Sequence, residues 1–247
     1  MRRRNRTTKD LKEAGVEQNM KRPGFYAQLH LHTAETSRCG RAGGAEMARA
    51  CKEAGYDLIA ITDHFMNANI GCDRALPWEA KVEYLFRGYY AAKKEGDRIG
   101  LHVIKGWETF TEGPELLTYG LGEEFLLAHK DIDRVPYEEY IRLVNEAGGK
   151  IIHAHPYRMA PYIPVFVPDA KSVEAYEVYN AGNADPDWNR KAFREAKGYG
   201  LLMFAGSDAH SAEGVRTGAM RFERPVYTME EMFEAARRGE AEIIERM

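Results

Sequence analysis

Residues 25–33 read FYAQLHLHT, a short apolar run that ends in two histidines. Such a run forms a strand, and on an extended backbone residues two apart point to the same side, so His30 and His32 face one place. Outward from it the pattern repeats. AEMARACKEAG (45–55) has the spacing of a helix closed by Gly55, and YDLIAIT (56–62) that of a buried strand. A long helix is expected over about Pro77 to Glu95, with proline in its first turn. Apolar runs follow at LHVIKGWE (101–108), ELLTYGL (115–121), KIIHAH (150–155), VEAYEVYN (173–180) and LLMFAGSD (201–208), and helical patterns at 136–149, 187–200 and 228–239 separate most of them. Strand-helix alternation predicts a parallel sheet. About seven strands with no Pro-rich linker predict one closed or nearly closed α/β barrel over 23–247 rather than two domains.

Composition narrows the classes. The chain has 247 residues, 44% hydrophobic and 11% aromatic, which suffices for a packed core and excludes a disordered chain. The net charge of −3 is unevenly spread: residues 1–22 hold eight basic and three acidic residues, a net +5, so the remainder carries −8. The basic arm 1–22 has no aromatic residue, and a solvated, flexible terminus is favoured over contact with nucleic acid or a membrane surface. Cys39, Cys51 and Cys72 form no CxxC pair, which excludes a zinc ribbon and a disulfide framework and makes a reducing cytoplasm the expected compartment. No run of 18 apolar residues exists, and no apolar stretch follows the early arginines, so neither a membrane span nor export is expected.

Six histidines fall in four fragments: LHLHT (His30, His32), ITDHF (His64), IHAHPYR (His153, His155) and GSDAHS (His210). Each fragment ends an apolar run. In a parallel barrel those ends open on one face, where active sites are built. Asp208 and His210 repeat the spacing of His30 and His32, and Glu108 ends another run, where a carboxylate can bridge two cations. This nitrogen and oxygen set suits divalent ions such as Zn, Mn or Fe, with no thiolate preference evident. Asp63, beside His64, and His153, two before His155, are expected to brace the ligands rather than bind metal. Cys51 and His102 read as packing residues, and His129 carries no signal.

HLHT, TDH, a strand-end Glu, HP after an apolar strand and GSDAH, in this order, resemble the PHP family, named for polymerase and histidinol phosphatase. The resemblance runs from about Tyr26 to Phe222. It implies a single-domain, distorted (β/α)7 TIM-like barrel and a metal-dependent phosphoesterase with up to three ions. It further implies that His30, His32, Glu108 and Asp208 hold one ion, that Glu108 bridges to a second held with His155, and that His64 and His210 hold the third.

Two positions depart from the family pattern. Where the family has a third-metal ligand, six residues beyond the second histidine, this chain has Arg38, and arginine cannot ligate a cation. Either Glu35 or Cys39 substitutes, or Arg38 contacts substrate phosphate. Glu115 stands where the family often shows histidine, and is weighed as a second-metal ligand against a solvated strand-edge acid.

The expected reaction is hydrolysis of a phosphate ester by a metal-activated water, with His64, His210 and Asp208 as candidate catalytic groups. Arg158 and Arg216, loop arginines near the expected mouth, join Arg38 as candidates for substrate contact, against the alternative of exposed salt bridges. The acidic body favours a small phosphorylated metabolite or nucleotide over a nucleic acid. Two alternatives remain at this stage. One is an amidohydrolase-type barrel, against which Lys105, three residues before Glu108 on a strand, is expected to point away from it. The other is a non-catalytic metal- or nucleic-acid-binding domain. Oligomeric state leaves no signal.

Overall fold

β1 (Phe25–Gln28) and β2 (Leu58–Ile61) are buried at every residue, as strands covered on both faces must be. The computed structural model describes residues 23–111, 113–161, 163 and 170–247, so the basic arm 1–22 lies outside the described residues. The remaining strands are β3 (His102–Phe110), β4 (Glu115–Tyr119), β5 (Lys150–Ala154), β6 (Ala175–Asn180), β7 (Leu202–Gly206), β8 (Thr217–Phe222) and β9 (Ala241–Arg246). All nine join one sheet in the order β7-β6-β5-β4-β3-β2-β1-β8-β9. Around it run α1 (Gly44–Ala54), α2 (Trp78–Leu85), α3 (Arg87–Ile99), α4 (Glu123–Ala128), α5 (Tyr137–Glu146), α6 (Pro186–Tyr199) and α7 (Met229–Arg237).

Local chemistry explains the element ends. α1 buries Met47, Ala48, Cys51 and Ala54 at helical spacing and stops at Gly55, whose left-handed backbone lets its N–H reach the Cys51 and Lys52 carbonyls. Asp185 caps α6 by accepting from the Asp187 N–H, with Pro186 in the first turn. Thr228 and Glu231 form a reciprocal capping box on α7.

The sheet nearly closes. Leu31, beyond β1, bridges in parallel to Ala209, beyond β7, and the His32 N–H donates to the Ala209 carbonyl at 3.0 Å. At the opposite end β8 pairs antiparallel with β1, and β9 with β8, which keeps β1 and β7 apart there. This wedge distorts the barrel. β8 and β9 were not expected, because TGAMRF and AEIIER lack a clear apolar run.

The sheet is mixed, which corrects the expectation of a parallel one. β1, β2 and β3 are parallel, as are β5, β6 and β7, but β4 runs antiparallel to both β3 and β5. Only residues 111–114 separate β3 from β4, far too few for a parallel crossover of a dozen or more residues. The reversal has a functional consequence. Glu115 opens β4 opposite Phe110 and Ala154, on the rim where the neighbouring strands end.

The single helix expected over 77–95 is two, broken at Phe86. Behind the break, Gly88 approaches Thr33 and Asp63 so closely that a Cβ would lie 1.9 Å from Thr33 Oγ1. Beneath the rim Trp107 is fully buried, stacked on Phe65 at 5.7 Å, and its indole N–H donates to Tyr140 Oη at 2.7 Å. Trp107 faces the helices while Glu108, next along β3, faces the barrel mouth, so a rigid platform sits directly behind the bridging carboxylate.

Candidate metal centre

The two β1 histidines converge as their spacing requires. His30 Nε2 and His32 Nε2 are 3.1 Å apart and both rings are fully buried. β2 continues past Ile61 to pair His64 with Glu108, which sets the His64 ring beside the same carboxylate. Glu108 then shares its two oxygens among four imidazoles. Oε1 is 3.3 Å from His30 Nε2 and 3.0 Å from His155 Nε2. Oε2 is 3.5 Å from His32 Nε2 and 2.9 Å from His64 Nδ1. Asp208 Oδ1 adds contacts of 3.5 Å to His30 and 3.1 Å to His32.

Two backbone irregularities aim these side chains. His155 has φ 29° and Asp208 φ 54°, conformations that cost a non-glycine residue about 1–3 kcal/mol each. On β5, Ile152 and Ala154 face the interior while His153 faces outward and packs edge-on against Tyr176. Regular alternation would send His155 outward too. The positive φ turns it in to Glu108 and to Glu115 Oε2, 3.7 Å away. His210, beyond Asp208, stacks on His32 with ring centroids 4.4 Å apart.

A further layer fixes the rings. Glu177 on β6 meets His30 Nδ1 at 2.9 Å through Oε1, while Oε2 accepts from the His155 N–H and from Asn180 Nδ2. Glu177 belongs to none of the histidine-bearing fragments. Its signal was an acid flanked on both sides by apolar residues in AYEVY (175–179). β7 passes so near that a Cβ at Gly206 would lie 2.2 Å from Glu177 Oε1. Asp63 accepts from Thr33 N at 2.6 Å, Thr33 Oγ1 at 2.7 Å and Ser37 Oγ at 2.6 Å, and Ser37 Oγ lies 3.4 Å from His32 Nδ1.

Electrostatics follow from this crowding. Burial pushes Glu108 up, but the charge on His30 and hydrogen bonds from His155, His30 and His64 hold it well below the usual carboxylate range. Burial and the neighbouring carboxylate of Glu108 raise Glu115 to about 7, against the pull of His155, His64 and Arg158. Burial and the charge of His64 depress His32 to about 3. Burial lifts Asp63 to about 6 in spite of its three hydrogen bonds.

The arginines separate. Arg158 enters the site: Nη1 donates to Asp208 Oδ2 at 2.6 Å, Nη2 to Asn180 Oδ1 and Nε to Asn183 Oδ1. Arg38 does not, being exposed with Nε on the Ile70 carbonyl, and Arg216 is exposed beside the C-terminal Met247. Glu35 binds the Gly44 N–H at the start of α1. Cys39 instead lines the cavity of about 580 Å³ at the mouth, together with His64, Phe110, Arg158, Asp208 and His210.

Divalent cations fit this donor set. His30, His32 and Glu108 form one group of converging donor atoms, His30, His155 and Asp208 a second, Glu108, Glu115 and His155 a third, and His32, His64 and His210 a fourth. His30 Nε2 and His32 Nε2 lie 3.1 Å apart and each 3.1–3.5 Å from a Glu108 and an Asp208 oxygen, near the edge of about 3.3–3.4 Å that a tetrahedral ion with bonds of about 2.0–2.1 Å requires. Glu115 Oε2 is buried without a hydrogen bond, and His64 Nδ1 is off the line of one despite its short approach to Glu108. An ion would satisfy both.

The PHP-associated family model matches residues 186–241. Among solved structures, a two-domain protein of Bacteroides vulgatus containing a predicted PHP-like metal-dependent phosphoesterase is similar at TM-score 0.66 and 14% identity, covering 92% of this chain and 70% of that one. The PHP resemblance is borne out. PsfC of Pseudomonas syringae is similar in fold at TM-score 0.60 and 19% identity, covering 90% of this chain and 92% of its own. An amidohydrolase of Chromobacterium violaceum, with bound sulfate and no metal, is similar at TM-score 0.55 and 15% identity over 89% of this chain and 97% of its own. No curated protein matches the chain. Among the described residues no helix is long and apolar enough to cross a membrane.

Proposed function

We propose that this chain is a metal-dependent phosphoesterase acting on a small phosphorylated metabolite or nucleotide. The observation that carries the reading is Glu108, whose two oxygens each lie within 3.5 Å of two imidazole nitrogens, with Arg158 on the adjoining cavity wall. His30, His32, Glu108 and Asp208 would hold one ion and Glu108, Glu115 and His155 a second. Bound divalent ions supply Lewis acidity and lower the pKa of water they bind.

The chain's own residues do the rest. Arg158 presents a guanidinium fork fixed by Asn180 and Asn183, a geometry suited to phosphoryl oxygens. Asp208 sets the position of that fork, and His64 and His210 line the side of the cavity open to a leaving group. Arg38 and Arg216 are not assigned to substrate, because neither reaches the cavity. The unpaired Cys39, Cys51 and Cys72 suit a reducing compartment.

An amidohydrolase reading has the Chromobacterium violaceum neighbour of that name, yet the sulfate in that structure is a tetrahedral oxyanion shaped like phosphate. Lys105, the residue that reading would recruit, packs on Phe86 and Tyr89 and pairs with Glu123, away from the site. The test is a panel of phosphomonoesters and phosphodiesters offered to the metal-loaded protein. At least one should be hydrolysed, and Asp208→Asn should abolish that turnover while leaving the fold intact. A protein that retains two ions and cleaves none of the panel refutes the assignment.

A further inference from the structure

The loop between β1 and α1 settles which of three neighbours faces the site. Ser37 is anchored on Asp63, the Arg38 N–H donates to the Asn69 carbonyl at 3.0 Å, and the Arg41 N–H to the His210 carbonyl at 2.7 Å. Cys39 is therefore pinned from both sides. Gly40 permits the fold, since a Cβ there would lie 2.3 Å from the Thr33 carbonyl oxygen. The turn carries the Arg38 side chain outward to Ile70 and sets Cys39 on the wall of the cavity that His64 and His210 also line.

Three imidazoles already meet at this point. Ring nitrogens of His32, His64 and His210 all lie within 4.8 Å of one another, and the His32 ring stands 4.3 Å from His64 and 4.4 Å from His210 between centroids. The other three donor groups consist of nitrogen and oxygen alone. Cys39 brings the sulfur of this cavity wall, and thiolate selects for soft or borderline ions such as zinc over magnesium or manganese.

We propose that Cys39 is a sulfur ligand of a zinc site that it forms with His64 and His210 on the cavity wall. Binding replaces the thiol proton by the ion, releasing one proton as the sulfur–metal bond forms. The inference rests on reading the cluster as a metal centre, and goes beyond it by assigning one position a ligand class and a preferred ion.

Cobalt(II) added to the metal-free full-length protein tests it. The expected spectrum contains a near-ultraviolet thiolate-to-cobalt charge-transfer band that disappears in Cys39→Ser, with Cys51 and Cys72 left in place as internal controls. Zinc content should fall by one equivalent in Cys39→Ser, and Cys39→Asp should restore that equivalent without the band. Cobalt uptake with no such band in the unmodified protein overturns the sulfur ligand while sparing the metal centre, and persistence of the band in Cys39→Ser does the same. Failure to take up any cobalt overturns both readings. Because the first outcome is read on the unmodified chain, a variant that fails to fold does not protect the proposal.

Discussion

The two flanks of Glu108 are built differently. On the inner flank His30, His32 and Asp208 have side-chain exposures of 0–5%, and Glu177 and the Asp63–Ser37 pair brace the rings from behind. On the outer flank His64 and His210 are 12% and 29% exposed, and Cys39 borders open cavity. A fully enclosed donor set with a supporting hydrogen-bond layer holds an ion in fixed geometry, whereas a set on the cavity wall can exchange its ion and touch substrate. The difference teaches that one centre can combine a rigid half with an accessible one, joined by a single carboxylate.

Cutting that joint should do the most damage. Glu108→Gln removes the charge shared by both flanks, and turnover should fall on the order of a thousandfold or more, with metal content reduced on both sides. Elemental analysis beside kcat checks this. Unchanged metal content would show that the flanks bind independently of Glu108.

Next in size is the inner brace. Glu177→Gln leaves every proposed ligand in place but weakens the carboxylate on His30 Nδ1, so metal affinity should drop about 10- to 100-fold. Equilibrium dialysis gives the number. The loss should be confined to the inner ion, and an equal loss of outer-flank cobalt would erase the distinction drawn here.

A pH titration separates the second-ion position from the rest. Burial and Glu108 raise Glu115 to about 7, so in the metal-free chain it keeps its proton below that value and must lose it to ligate. Affinity there should rise with pH up to about 7 and then level off, with a limiting slope of about tenfold per unit below it. Glu115→Gln should flatten the profile. Isothermal titration over pH 5–8 would contradict the assignment if the slope survived the substitution.

The smallest effect is expected outside the centre. Glu35 caps α1 through the Gly44 N–H, so Glu35→Ala should cost about 1 kcal/mol, or about 2–4 °C in Tm, without changing metal stoichiometry. Thermal denaturation followed by elemental analysis distinguishes this from a ligand role.

What the sequence disclosed was what depends on period. HLHT was legible because alternation on an extended chain places residues two apart together, and four histidine fragments at strand ends implied a shared rim. The inward turn of His155 was not legible, since it depends on a left-handed residue at a position where the pattern gives no glycine. Arg38 and Cys39 are adjacent, and which of them faces the cavity is decided by a loop held through backbone contacts to Asn69 and His210, remote in sequence. Glu177 was hidden because its partner is 147 residues away. The antiparallel course of β4 could have been read from the four residues that precede it, but strand-helix alternation elsewhere outweighed that signal.

Anomalous diffraction from crystals of the manganese- or zinc-loaded protein addresses the central claim most directly. The account predicts a peak bonded to His30, His32, Glu108 and Asp208 and another bonded to Glu108, Glu115 and His155, with Glu108 common to both. A loaded, hydrolytically active protein whose peaks lie away from Glu108 would contradict it.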